Sequence, residues 1–145
     1  MTDPCQVDFY VLQDESLSTD LLACRLALMA WEKGSRIMIL AENEAAAERL
    51  DALMWSHPQG RFLPHGNLRH AQPAPVVIGT LEQLPDETGD VCINLTHGPV
   101  PQPQRFQRLL EPVSADDAQR KLSREKFREY RKQGLAPASH PVNRS

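Results

Sequence analysis

The chain has 145 residues, a formal net charge of −3 and a pI of about 5.9, which suits one compact domain with a single core. A surface that is acidic on average is not built as a whole for polyanions, so any nucleic-acid contact has to come from a local patch. No apolar run approaches the roughly 18 residues needed to cross a bilayer, which excludes a membrane-spanning helix. Cys5, Cys24 and Cys92 are odd in number and widely spaced. The apolar surroundings of Cys24 and Cys92 read as those of reduced core thiols in a cytoplasmic protein, without a disulfide. The opening MTDPCQ is acidic and short, unlike a signal peptide.

In chain order, Val7–Leu12 reads as a buried strand. Ser18 or Thr19 can cap the helix that follows, with Leu21, Cys24, Leu28 and Trp31 on its inner face and Gly34 ending it. Arg36–Leu40 is a second strand. Asn43–Trp55 is a second helix, whose apolar stripe is Ala46, Ala47, Leu50, Leu53 and Met54. A polar, turn-rich connection carries Trp55, Phe62 and Leu63-Pro64-His65.

Val76–Gly79 and Val91–Leu95 are further strands, separated by a segment with room for one short helical turn before Pro85. Residues 98–104, GPVPQPQ, form a Pro-rich linker. Phe106–Val113 fits either a late strand or a short helix, with strand preferred. Ser114 or Asp116 then opens a long helix running to about Gln133, closed by Gly134. The expectation is an α/β fold of three layers, a mostly parallel sheet with helices on both faces, Rossmann-like but without a nucleotide site. Residues 1–134 make one domain, and residues 135–145 read as a flexible, frayed tail.

The fold class invites a nucleotide, yet the fingerprint is missing. After the first strand come Gln13-Asp14-Glu15-Ser16, with no glycine to bring backbone amides against a phosphate. There is no G-x-S-x-G elbow. The five histidines, His57, His65, His70, His97 and His140, lack metal-ligand spacing. His65 reads as a structural hydrogen-bonding group, and Asp86, Glu87 and Asp90 as a solvated turn. No catalytic constellation, metal or cofactor is expected.

The last helix departs from the acidic average. Arg120, Arg124, Phe127, Arg128 and Arg131 fall at i, i+4, i+7, i+8 and i+11, on one face. Charge alone supports a solvated face with Glu–Arg pairs as well as it supports a docking stripe. The docking chemistry is specific, however. Guanidiniums grip carboxylates and a neighbouring ring packs an apolar side chain, which together suit an acidic peptide with an apolar, free C-terminal end. Trp55 and Phe62 likewise have two readings. On the residues alone, roofing of the sheet is the stronger one, and an exposed anchor for a partner is the other.

The wording of the chain tips both balances. The run Ala30-Trp31-Glu32-Lys33-Gly34, the LD..MW..P..RFLPH stretch, the strand VDFYVL and the late KLSREKFREYRKQG occur in order over most of the chain. They resemble the chi subunit family of the bacterial DNA polymerase III holoenzyme, part of its clamp-loader assembly. The resemblance implies a non-catalytic accessory subunit in DNA replication, with two partners. One is the acidic, Phe-terminated tail of single-stranded DNA-binding protein. Its receiving positions here would be Val113, Arg120, Arg124, Phe127 and Arg128, with Arg124 the chief carboxylate ligand. Phe127 stands where some relatives carry tyrosine, so packing survives and a hydroxyl contact is lost. The other partner is the psi subunit, docked around Trp55 and Phe62, where a helicase-like protein competes in some relatives. DNA would be contacted only indirectly, and no membrane is involved. The rival readings are a degenerate nucleotide-binding enzyme and a direct nucleic-acid-binding module using the basic helix.

Overall fold

Alternate residues of the inner strands lie in opposite cores, which is the mark of a sheet covered on both faces. The computed structural model describes residues 5–56, 65–67, 75–83 and 90–143. Among these, the strands are β1 (Gln6–Leu12), β2 (Ile37–Leu40), β3 (His65–Asn67), β4 (Val76–Gly79), β5 (Val91–Asn94), β6 (Arg108–Val113) and β7 (Ala138–Val142). They form one open sheet in the order β3-β4-β2-β5-β6-β1-β7, and every neighbouring pair is parallel. The helices are α1 (Thr19–Glu32), α2 (Glu44–Ser56) and α3 (Asp117–Lys132).

One core holds α1 and α2 against Leu12, Ile37, Ile39, Val76, Ile78, Val91, Ile93 and Leu110. The opposite core holds Phe127 and Tyr130 of α3 against Val7, Phe9, Met38, Leu40, Cys92, Leu109 and Val113. This is the expected three-layer α/β architecture. Among the described residues, no helix is long and apolar enough to cross a membrane.

The helix ends obey capping chemistry. Ser18 Oγ accepts from the Leu21 amide at 3.1 Å, and Asn43 Oδ1 from the Ala46 amide at 2.8 Å. Asp116 Oδ2 accepts from the Gln119 amide at 3.2 Å. Gly34 and Gly134 follow α1 and α3 with φ of 90° and 87°, the left-handed exit that glycine takes without strain.

Four expectations are corrected. The inner face of α1 is Leu22, Ala23, Cys24, Leu26, Ala27 and Ala30, while Leu21, Leu28 and Trp31 are half-buried at its flank. Small alanines let the helix approach the sheet closely, so the largest side chains mark its edge and not its centre. The segment 98–104 is no free linker. Val100 and Pro103 are buried, and the Val100 amide donates to Tyr130 Oη at 2.9 Å. Within the expected turn-rich connection, His65–Asn67 forms the short strand β3, paired in parallel with β4. Finally, the described part of the tail, residues 135–143, is built into the fold. Leu135 joins the α3 core, and β7 pairs in parallel with β1, from Asp8 opposite Ala138 to Leu12 opposite Val142. Pro141 is tolerated there because β7 is an edge strand.

Candidate functional site

The rotation of α3 is set by buried polar bonds rather than by a broad apolar face. Glu111 of β6 is 1% exposed and lies beneath the helix. Lys126 Nζ donates to Glu111 Oε1 at 3.0 Å and to the Thr96 carbonyl at 2.6 Å. Tyr130 Oη donates to Glu111 Oε2 at 2.6 Å, and Asn94 Nδ2 to the same oxygen at 2.7 Å. Thr96 Oγ1 closes the network on Asn94 Oδ1 at 2.6 Å. Burial pushes the Glu111 carboxyl above its usual range, against the opposing pull of the Lys126 ammonium and the donated bonds. Burial, with Glu111 beside it, also drives the Tyr130 hydroxyl far up, so it stays a donor. None of these residues was singled out from sequence. The available signal was Lys126, which lies on the helix face opposite Arg124 and Arg128.

With α3 so fixed, its other face opens over the edge of the sheet. A groove of about 230 Å³ lies between Arg120, Ser123, Arg124 and Phe127 of the helix and Phe9 and Val11 of β1. Gln13 and Ser139 complete its rim. Phe9 and Phe127 meet at 5.3 Å between ring centroids, giving the groove an aromatic wall. Arg120 is anchored by an Nη2 bond of 3.2 Å to the Leu12 carbonyl, while its buried Nε has no partner among the described residues. Arg124 is exposed. Of the residues expected to receive an acidic tail, the fold therefore gathers Arg120, Arg124 and Phe127 around one groove. Val113 is buried in the core behind them, and Arg128 is exposed outside the groove lining.

On the other helical face of the sheet, Trp55 in the last turn of α2 has 66% of its surface exposed, so it does not roof the sheet. Its ring meets His65 edge-on at 4.9 Å. The His65 side chain is only 1% exposed, and its Nε2 lies 3.2 Å from Asp51 Oδ1. The histidine thus packs edge-on against the indole. Phe62 lies outside the described residues.

The crevice where such sheets accept nucleotides, at the carboxyl ends of β2, β4 and β5, has a volume of about 410 Å³. Glu42, Glu44 and Glu82 line it, and carboxylates there repel phosphate. Among the described residues, no group of three or more His, Cys, Asp or Glu side chains could hold a metal ion.

The three cysteines are free and buried. Burial, reinforced by Asp8 and Asp20 respectively, pushes Cys5 and Cys24 up to about 11, and Cys92 lies well above its usual 9.0. A thiol disulfide reagent at pH 8 should therefore leave the native protein unreacted and titrate all three thiols only after unfolding. Fast reaction of the native chain would contradict this burial. The linkage has a definite sign. The native state holds thiol protons that the unfolded chain releases, so this contribution to stability is present below pH 9.0 and lost as pH rises through about 11.

The comparisons with known proteins agree in direction. A family model described as "DNA polymerase III chi subunit, HolC" matches residues 5–138. The DNA polymerase III subunit chi of Pseudomonas aeruginosa is 38% identical over 143 residues, covering 96% of this chain and 98% of that one. Its namesake from Escherichia coli K12 is 30% identical over 135 residues, covering 88% and 91%. Among solved structures, a chain in the complex of a Saccharomyces cerevisiae Dbp5 variant with Nup159, a Gle1 variant, IP6 and ADP superposes with a TM-score of 0.64. At 12% identity, with 98% of this chain but 43% of that chain covered, this likeness shows the shared fold alone. The family match over nearly the whole chain, with two bacterial relatives at 30% identity or above, establishes that the chain belongs to the DNA polymerase III chi subunit family.

Proposed function

We propose that the chain is a non-catalytic adaptor of the bacterial replication machinery. One surface, around Trp55 and Phe62, docks psi and through it the clamp loader. The other, the α3 groove, captures the acidic C-terminal tail of single-stranded DNA-binding protein. The observation that carries this reading is the convergence of Arg120, Arg124 and Phe127 on one groove with an apolar floor at Phe9 and Val11. Two guanidiniums beside a ring-lined hollow match a terminal Phe with a free carboxylate, preceded by acidic residues. The acidic crevice at the carboxyl ends of β2, β4 and β5 counts against the nucleotide-dependent alternative.

The test is fluorescence anisotropy of a labelled acidic peptide ending in Phe, titrated with the full chain at low and physiological salt. Binding in the micromolar range is expected, weakened by salt and by amidation of the terminal carboxylate. Arg124→Ala should raise Kd by more than about tenfold, because one charge-assisted bidentate contact is lost. It should leave psi binding unchanged. Equal loss of both activities would defeat the two-surface assignment, and no peptide binding at low salt would remove the groove from it.

A further inference from the structure

The C-terminal strand sits at the rim of the arginine-lined groove. β7 continues the sheet beyond β1 as its edge strand, a ledge on the side of the groove away from α3's other contacts with β6. Its register places Ser139 directly opposite Phe9, on the same face as the groove floor, and Ser139 lines the opening. The ledge is fastened from both sides. The Gln13 amide donates to the Val142 carbonyl at 3.0 Å, and on the reverse face His140 Nε2 lies 2.9 Å from the buried Asp8 Oδ1. Ser139 itself is exposed. A small side chain at this point leaves the groove open where a bulky one would close it.

We infer that β7 forms the outer lip of the peptide groove and that Ser139 is a specificity-determining position, admitting an acidic peptide because it neither fills the groove nor carries a negative charge. This rests on the adaptor reading and adds to it a binding element outside the basic helix. Ser139 of β7 lines the same groove as Phe9, Val11 and Phe127, which would take the apolar end of an acidic peptide, and as Arg120 and Arg124, which would take its carboxylates. A charge at position 139 therefore faces the peptide across the groove from the guanidiniums.

The same anisotropy titration tests this on the full chain with four substitutions. Ser139→Ala should bind within about twofold of the parent. Ser139→Trp should weaken binding by about tenfold or more by filling the groove. Ser139→Glu should weaken it, and Ser139→Lys should tighten it, each by about two- to fivefold at low salt, as one exposed charge pair allows. The tightening by lysine is the decisive arm, because a misfolded variant cannot produce it. Psi binding and the thermal transition should stay as in the parent for all four. If the parent binds while the Trp, Glu and Lys variants all stay within twofold of it, β7 takes no part and the inference falls. If the parent itself fails to bind, the adaptor reading beneath it falls as well.

Discussion

Replacing Lys126 by methionine should lower the unfolding free energy by about 3–5 kcal/mol, the cost of stranding a buried charge. The side chain is only 9% exposed, and its ammonium bridges the Thr96 carbonyl and the Glu111 carboxylate. Methionine fills the volume but leaves Glu111 with only the Tyr130 and Asn94 donors. The loss should depend on pH with a defined sign. Burial already raises the Glu111 pKa in the native state, so its contribution is fully present below the unfolded value of 4.5 and is lost as pH rises through the folded value. Without the lysine, which lowers that folded value, the window extends upward. Urea unfolding should therefore show a larger deficit at pH 8 than at pH 5. The double variant Glu111→Gln/Lys126→Met should recover more than half of it, since no charge is then buried. A deficit equal at both pH values, with no recovery in the double variant, would place the cost in packing and refute the charge argument.

That network also marks the limit of what the sequence discloses. The parallel sheet was legible because Val7–Leu12, Ile37–Leu40 and Val91–Asn94 are apolar runs bounded by turn residues, and parallel strands are buried on both sides. The long C-terminal helix was legible from its cap and glycine stop. The arginine stripe was legible as a stripe, but its division was not. Periodicity places Arg120, Arg124 and Arg128 on one broad face, whereas only the fold puts Arg120 and Arg124 beside Phe9 and leaves Arg128 outside. Glu111, read locally, is a charged residue within a strand. Its partner Lys126 lies 15 residues on and Asn94 lies 17 residues back, so burial of the trio is a tertiary property. β7 was missed for a local reason: Ala-Ser-His-Pro-Val has weak strand character and one missing amide. Its pairing with β1, more than a hundred residues away, overrides that preference.

Trp55→Ala should weaken psi binding by about 2–4 kcal/mol, or roughly 30- to 1,000-fold in Kd, the range of an aromatic anchor at an interface centre. Tryptophan can bury on the order of 200 Å² against a partner. Here 66% of its surface is exposed, and the ring already rests against His65 before binding. Preorganisation of this kind lowers the entropy lost on docking. The same exposure means that little core packing is lost on truncation, so the unfolding midpoint should move by no more than a surface substitution does. Peptide binding at the α3 groove should be unaffected, because Trp55 stands on the opposite face of the sheet. The chain has two tryptophans, and Trp31 is half-buried on α1. In a Trp31→Phe background, Trp55 alone should emit as a water-exposed indole and shift to the blue when psi is added. Calorimetric titration of Trp55→Ala with purified psi supplies the energy, and the emission shift supplies the location. Undiminished affinity together with an unmoved spectrum would put the psi surface elsewhere on the molecule.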